Sequence, residues 1–199
     1  MHNFPTAAKP GPARRNAESA SSSTTVRRAA RSDASQILEL VEQYAAQGLM
    51  LSRTFEQVAS RIDSYVVATD GAGRVIACAA LEEYSPSLAE VSSVAVAPSQ
   101  HGKGLGSQVV LGVERLARAR DIDELFAMSL TDNFFLSLSY KATTISRYPE
   151  KLARYDLLSK SGVDIVPKRC FQKVLGKTWS APQLVERTVA VSRRKRKAG

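Results

Sequence analysis

The chain has 199 residues, 44% hydrophobic and 24% charged, with a formal net charge of +9, so a single soluble domain is expected and no run approaches the ~18–20 apolar residues of a membrane span. Two cysteines, Cys78 and Cys170, without a Cys-x-x-Cys pair, and two distant histidines, His2 and His101, exclude a disulfide framework and a metal centre and fit a reducing, cytoplasmic compartment. Five positive charges crowd into Arg193-Arg194-Lys195-Arg196-Lys197 and the rest of the chain is nearly balanced, which describes a solvated tail and not a groove for a specific nucleic acid.

Residues 1–24, rich in Pro, Ala, Ser and Arg, have no apolar periodicity; a disordered arm is expected, with an organelle transit peptide as the less favoured alternative. Order begins at a short strand, Thr25 to Arg28. Asp33 with Gln36 reads as a capping box before a helix carrying Ile37, Leu40, Val41 and Tyr44, which Gly48 stops. Thr54 with Gln57 caps a second helix with Phe55, Val58 and Ile62. Tyr65 to Ala68, the turn Asp70 to Gly73, and Val75 to Leu81 form a hairpin. A loop through Ser85-Pro86 leads to a long strand, Leu88 to Ala97.

After Pro98 comes a glycine-rich loop, then a helix with Leu105, Val109, Val113 and Leu116 on one stripe. Leu125 to Leu130 is a buried type of strand and 132–139 a short helix. Lys141 to Ser146 reads as a strand, Pro149 opens a helix ending near Gly162, and Lys168 to Leu175 reads as a last strand. The layout is α/β with a mixed sheet. The domain is expected over 25–180, with a C-terminal extension from about 149 and a basic flexible tail at 181–199.

The most informative segment runs from Val94 to Gly106: a strand ends, Gly102, Gly104 and Gly106 follow at alternate positions, and a long helix starts. Glycine lets a backbone turn through left-handed angles and approach a ligand closely. The helix start adds unpaired N–H groups and partial positive charge, so the whole suits a pyrophosphate. Lys103 can add a point charge or face solvent. The loop lacks the Gly-x-x-x-x-Gly-Lys-Ser/Thr of a P-loop, and its Gly-x-Gly-x-Gly spacing is not the Gly-x-Gly-x-x-Gly of a dinucleotide fold.

The order of elements and His101-Gly102-Lys103-Gly104-Leu105-Gly106 resemble the GCN5-related N-acetyltransferase superfamily and its Gln/Arg-x-x-Gly-x-Gly/Ala motif, with His101 at the first position. The resemblance covers about Thr25 to Ile145. Within the superfamily the chain is most similar to the acetyltransferase domain of N-acetylglutamate synthases. Three stretches carry that likeness: Gly48-Leu49-Met50-Leu51-Ser52-Arg53, Val75 to Leu81, and Ala89 to Pro98. The chain is too short to include the amino-acid kinase domain of such synthases, so a stand-alone acetyltransferase is expected.

The resemblance implies a mostly antiparallel sheet flanked by helices with a splayed central strand pair. It also implies acetyl-CoA as co-substrate, no metal, and a place in arginine biosynthesis. Its acceptor would be the α-amine of an amino acid, glutamate first; a homodimer is compatible with this reading. Arg53 falls on the arginine that engages the amino acid, and Glu90 on the acidic residue of the strand before the cofactor loop. Backbone N–H groups around Val94, Ala95 and Val96 would stabilise the oxyanion. The pyrophosphate would sit on His101, Gly102, Lys103, Gly104, Leu105, Gly106 and Ser107. Phe134-Phe135 stands where many acetyltransferases have Phe-Tyr, leaving Tyr140 and Ser129 as hydroxyl donors to the leaving thiolate. Two alternatives stay open: the same fold acting on a polyamine, peptide or antibiotic, and a non-catalytic acyl-CoA-binding regulatory module.

Overall fold

Alternation in the central strands decides how the sheet is covered. β2 (Tyr65–Thr69) gives Val66 and Ala68 to one face and Tyr65 and Val67 to the other. β3 (Val75–Ser85) divides Ala77, Ala79 and Leu81 from Cys78 and Ala80 in the same way. Helix α3 (Leu105–Ala119) packs Val109, Val110, Val113 and Leu116 on the first face. Helices α1 (Ala34–Ala45) and α2 (Phe55–Ser60) cover the second with Ile37, Leu40, Val41 and Val58. The structure, a computed structural model, describes residues 23–176; the expected arm up to residue 22 and the basic tail lie outside the described residues.

The remaining elements are β1 (Thr25–Arg28), β4 (Leu88–Val96), β5 (Glu124–Ser129), helix α4 (Asp132–Ser137), β6 (Lys141–Thr143), helix α5 (Pro149–Lys160) and β7 (Arg169–Val174). Among the described residues the seven strands form one sheet in the order β1-β2-β3-β4-β5-β7-β6. Only the β4–β5 pair is parallel; every other neighbour is antiparallel. The expected α/β layout with a mostly antiparallel sheet flanked by helices is what the structure shows. No helix among the described residues is long and apolar enough to cross a membrane.

Four local readings need correction. The Asp33–Gln36 capping box does not form. Asp33 has helical angles (φ −84, ψ −12), not the extended ones that let a side chain reach back over the first turn. Its carboxylate instead accepts from Ala30 N at 2.7 Å and from Arg27 at 2.6 and 3.0 Å, while Gln36 Oε1 accepts from Val75 N at 2.9 Å. The hairpin β3–β4 is longer than its apolar core: β3 continues through Glu82 and Glu83, and Pro86 and Ser87 alone make the turn, with Ser85 opposite Leu88. The strand expected over 141–146 stops at Thr143, and Ile145–Arg147 is a 3-10 turn. The second helix ends at Ser60, so Ile62, expected on it, opens a 3-10 turn instead, and Phe55 at the helix start is 44% exposed. The Thr54–Gln57 box does form, with reciprocal bonds of 3.2 and 3.0 Å.

Helix α3 lies very close to β2. A Cβ on Gly112 would stand 2.6 Å from Cγ1 of Val66, and a β-branched strand side chain has few rotamers in which to retreat. Gly112→Val is therefore expected to lower unfolding stability by about 1–3 kcal/mol, the scale of overpacking a filled core. Urea denaturation checks this, and an unchanged midpoint would mean that the helix can slide without cost.

Candidate active site

The site begins where two strands part. β4 and β5 pair only from Leu88↔Glu124 to Glu90↔Phe126. Beyond that point β5 stays paired with β7 through Ser129, and β4 runs on along β3. The register of β4 against β3 shifts between Ser92 and Ala95, and Ser93 there has φ +50. This bulge bends β4 at the mouth of the gap. A cavity of about 700 Å³ opens between the diverging strands.

The glycine loop closes one part of this cavity. Gly102 and Gly104 have φ of +76 and +73, angles in which a side chain is strained. Gly104 is the N-cap of α3 and no side chain caps the helix. The first-turn amides of Leu105, Gly106 and Ser107 therefore have no intrahelical partner. Gly106 serves close approach: a Cβ there would meet the Phe134 ring at 3.3 Å. Gly102, Gly104, Leu105, Gly106 and Ser107 all line the cavity, as do Val94, Val96 and His101. Lys103 does not; its ammonium bonds Gln100 Oε1 at 2.9 Å. Ala95 buries its side chain in the core beside α1 and α2. His101 Nε2 lies 3.0 Å from the Val96 carbonyl and 2.8 Å from the Tyr44 hydroxyl, which itself donates to that carbonyl.

Arg53 and Glu90, 37 positions apart in sequence, both line the cavity. Arg53 reaches it because Glu42 of α1 grips the preceding loop: Glu42 Oε1 accepts from Ser52 Oγ at 2.7 Å and from Arg53 N at 2.9 Å. The Arg53 side chain is 16% exposed, and its guanidinium lies 3.8 Å from Glu82. Glu90 is buried on β4. Its carboxylate accepts from Lys151 Nζ at 2.9 and 2.7 Å and from the Tyr84 hydroxyl at 3.0 Å.

Four further cavity residues were not singled out from the sequence. Lys151 and Tyr155 come from α5, Lys168 from the segment before β7, and Glu82 from the polar end of β3. Only α5 left a signal: Lys151, Arg154 and Tyr155 share one face at i, i+3 and i+4, in a helix with no matching apolar stripe. Lys168 Nζ donates to the Leu49 carbonyl at 2.8 Å. Burial, and then Lys151 nearby, push its pKa down. Of the two hydroxyls proposed for the leaving thiolate, Ser129 lines the cavity, while Tyr140 packs in the core against Phe135 and does not. Cys78 is fully buried, and burial pushes its thiol up to about 12, so it is core and not a nucleophile. Among the described residues no group of three or more His, Cys, Asp or Glu could hold a metal ion.

Glu82 anchors the arginines around the cavity. It pairs with Arg154, with Arg61 at 2.9 Å and with Arg53 at 3.8 Å. Burial alone would raise its pKa; the bond and charge of Arg154, then Arg53 and Arg61, outweigh it and hold the carboxyl below its usual value of 4.5. A depressed carboxyl contributes stability above the unfolded pKa and loses it as pH falls through the folded one. Glu82→Gln is therefore expected to flatten the fall of melting temperature below about pH 4.5. Melting curves of parent and variant from pH 7 to pH 3 check this; parallel curves would show that Glu82 is not coupled to folding.

The comparisons with known proteins agree with this geometry. The pattern described as "Acetyltransferase (GNAT) family" matches residues 35–135. An uncharacterized N-acetyltransferase of Chlorobaculum tepidum is 36% identical over 131 residues, covering 66% of this chain and 84% of that protein. An amino-acid acetyltransferase of Pasteurella multocida is 31% identical over 131 residues, 65% of this chain, and the match spans 30% of that longer protein. The crystal structure of Rv2747 from Mycobacterium tuberculosis, in complex with CoA and NLQ, superposes with a TM-score of 0.66 at 26% identity, covering 75% of this chain and 98% of that one. A splayed strand pair, a bulged β4, a left-handed glycine loop opening α3 and these matches fall together: the chain belongs to the Acetyltransferase (GNAT) family and is an acetyl-CoA-dependent N-acetyltransferase.

Proposed function

We propose that the protein transfers the acetyl group of acetyl-CoA to the α-amine of an amino acid, with glutamate the first acceptor to test and arginine biosynthesis as the setting. One observation carries this reading: the cavity that begins at the glycine loop also holds Arg53 and Lys168 beside Glu90, cations for a carboxylate and a carboxylate for an amine. The likeness to an amino-acid acetyltransferase supports it.

The roles follow from the geometry. The open amides at residues 102–107 receive the pyrophosphate of acetyl-CoA, with the helix start adding partial positive charge. The backbone of Val94 to Val96, on the strand that has left β5, faces the developing oxyanion. Arg53 fixes the acceptor carboxylate by a bidentate pair, which holds the amine near the thioester. Glu90 takes the ammonium proton, directly or through a water, because a protonated amine has no lone pair with which to attack. Ser129, which lines the cavity and donates to the Thr131 carbonyl at 3.2 Å, turns its hydroxyl to the leaving thiolate.

Thiol release from acetyl-CoA, measured against a panel of amino acids, polyamines and peptides, tests the acceptor. Release with glutamate or another amino acid supports this reading; release with a polyamine or peptide and with no amino acid overturns it.

A further inference from the structure

Glu90 is not a free carboxylate in this site. Lys151 is the one residue of α5 that is buried, its side chain 6% exposed and that of Glu90 5%. The ammonium contacts both carboxylate oxygens, at 2.9 and 2.7 Å. The Tyr155 ring lies under it, 4.7 Å from centroid to Nζ. Taking an ammonium so far out of water is costly, and no apolar residue of α5 is itself buried. Position 151 therefore looks adapted to its partner and not to packing.

The surrounding charges sharpen this. Glu82 already serves Arg53, Arg61 and Arg154. Lys168 bonds a backbone carbonyl and is within salt-bridge distance of no carboxylate among the described residues. The cavity thus has spare cation at Arg53 and Lys168, and its carboxylate at Glu90 is covered by an internal ammonium. We propose that Lys151 is a stand-in for the acceptor's ammonium: it holds Glu90 and yields it to a zwitterionic acceptor. This rests on the amino-acid reading above and adds to it a specificity-determining residue.

The exchange favours a zwitterion by charge balance. Its ammonium replaces that of Lys151 on Glu90, and its carboxylate meets the spare cations. A polyamine would take Glu90 and leave Lys168 and the released Lys151 without an anion, and Arg53 with only its share of Glu82. A plain dicarboxylic acid has nothing with which to displace Lys151. Like-charge crowding and an unfilled carboxylate each reject a wrong ligand more strongly than a lost contact would.

The test compares the parent with Lys151→Met, which keeps all but the last atom of the side chain's length and removes the charge. The melting temperature of the variant is expected to fall by roughly 10 °C, because Glu90 is left buried and unpaired. Methylammonium chloride should recover at least half of that loss relative to sodium chloride and leave the parent unmoved. The KM for L-glutamate should fall about threefold or more, since the acceptor no longer competes with an internal cation. Glutarate, which lacks the amine, should stabilise neither protein more than sodium chloride does. Equal effects of methylammonium and sodium, or a rise in the KM for L-glutamate, overturn the proposal. Lys151→Gln is read in the same way if the methionine variant does not fold. A parent that acetylates no amino acid overturns the acceptor reading instead, and the methylammonium comparison then decides on the stand-in alone.

Discussion

Gly104→Asp abolishes acetyl-CoA binding at working concentrations, an expected loss of at least ~100-fold measured by calorimetry. Three physical reasons act in the same direction. Gly104 has φ +73, an angle that strains a residue with a side chain. Its missing Cβ points into open space, with nothing within 4 Å, so the new carboxylate enters the region where a pyrophosphate would lie. A carboxylate at the start of α3 also repels a second anion and cancels the partial positive charge that would attract it. Losing two charge-assisted bonds of about 1.5 kcal/mol each accounts for the stated factor. Gly104→Ala separates strain from charge: it shares the backbone cost and should lose much less. An aspartate variant that binds as tightly as the parent would move the pyrophosphate away from this loop.

How much of this was legible in the sequence depends on how local each feature is. The glycine loop was legible because its whole meaning lies within five residues: Gly102 and Gly104 turn the backbone, and the amides that follow belong to the next helix. The hairpin β2–β3 was legible for the same reason, its turn closed by Asp70 accepting from Ala72 N and Arg74 N at 2.9 and 3.0 Å. Arg53 and Glu90 were found through motif likeness, not through any pairing visible in the chain. What brings them to one cavity is the grip of Glu42 on the 52–53 backbone and the divergence of β4 from β5.

The unread part is nonlocal. β7 inserts between β5 and β6, against chain order, and no periodicity announces that. The same insertion delivers Lys168 to Leu49, 119 positions away. Helix α5 was legible as a helix, but its purpose was not, because its ties to the sheet are the charge pairs Lys151–Glu90 and Arg154–Glu82 and not an apolar face. Asp33 shows the opposite failure. Its capping signature was clear, yet Arg27, six residues earlier, offers two charged donors, and a carboxylate pairs more strongly with a bidentate guanidinium than with a neutral backbone amide.

Arg53→Lys raises the KM for the acceptor amino acid by at least ~10-fold, the scale of one lost charged hydrogen bond of ~1.5 kcal/mol, and leaves the KM for acetyl-CoA nearly unchanged. The guanidinium is held for this task. Its backbone is fixed by Glu42 at 2.9 Å, and the contact of its side chain with Glu82 is loose, at 3.8 Å. Glu82 itself is satisfied by Arg154 and by Arg61 at 2.9 Å, so Arg53 keeps donors for a ligand. Arginine meets a carboxylate with two parallel bonds and fixes its plane; lysine offers a point charge and lets the acceptor rotate. Rotation displaces the amine from the thioester, so kcat also falls if the reacting atoms must stay within near-attack distance. The glycine loop, 49 residues on at Gly102, belongs to a different element and should not feel the change. Steady-state kinetics with each substrate varied in turn decide the matter. Equal losses for both substrates would indicate a folding defect, which a melting curve would confirm. No loss for either would mean that the acceptor's carboxylate is held elsewhere, with Lys168 the next cation on the same wall to test.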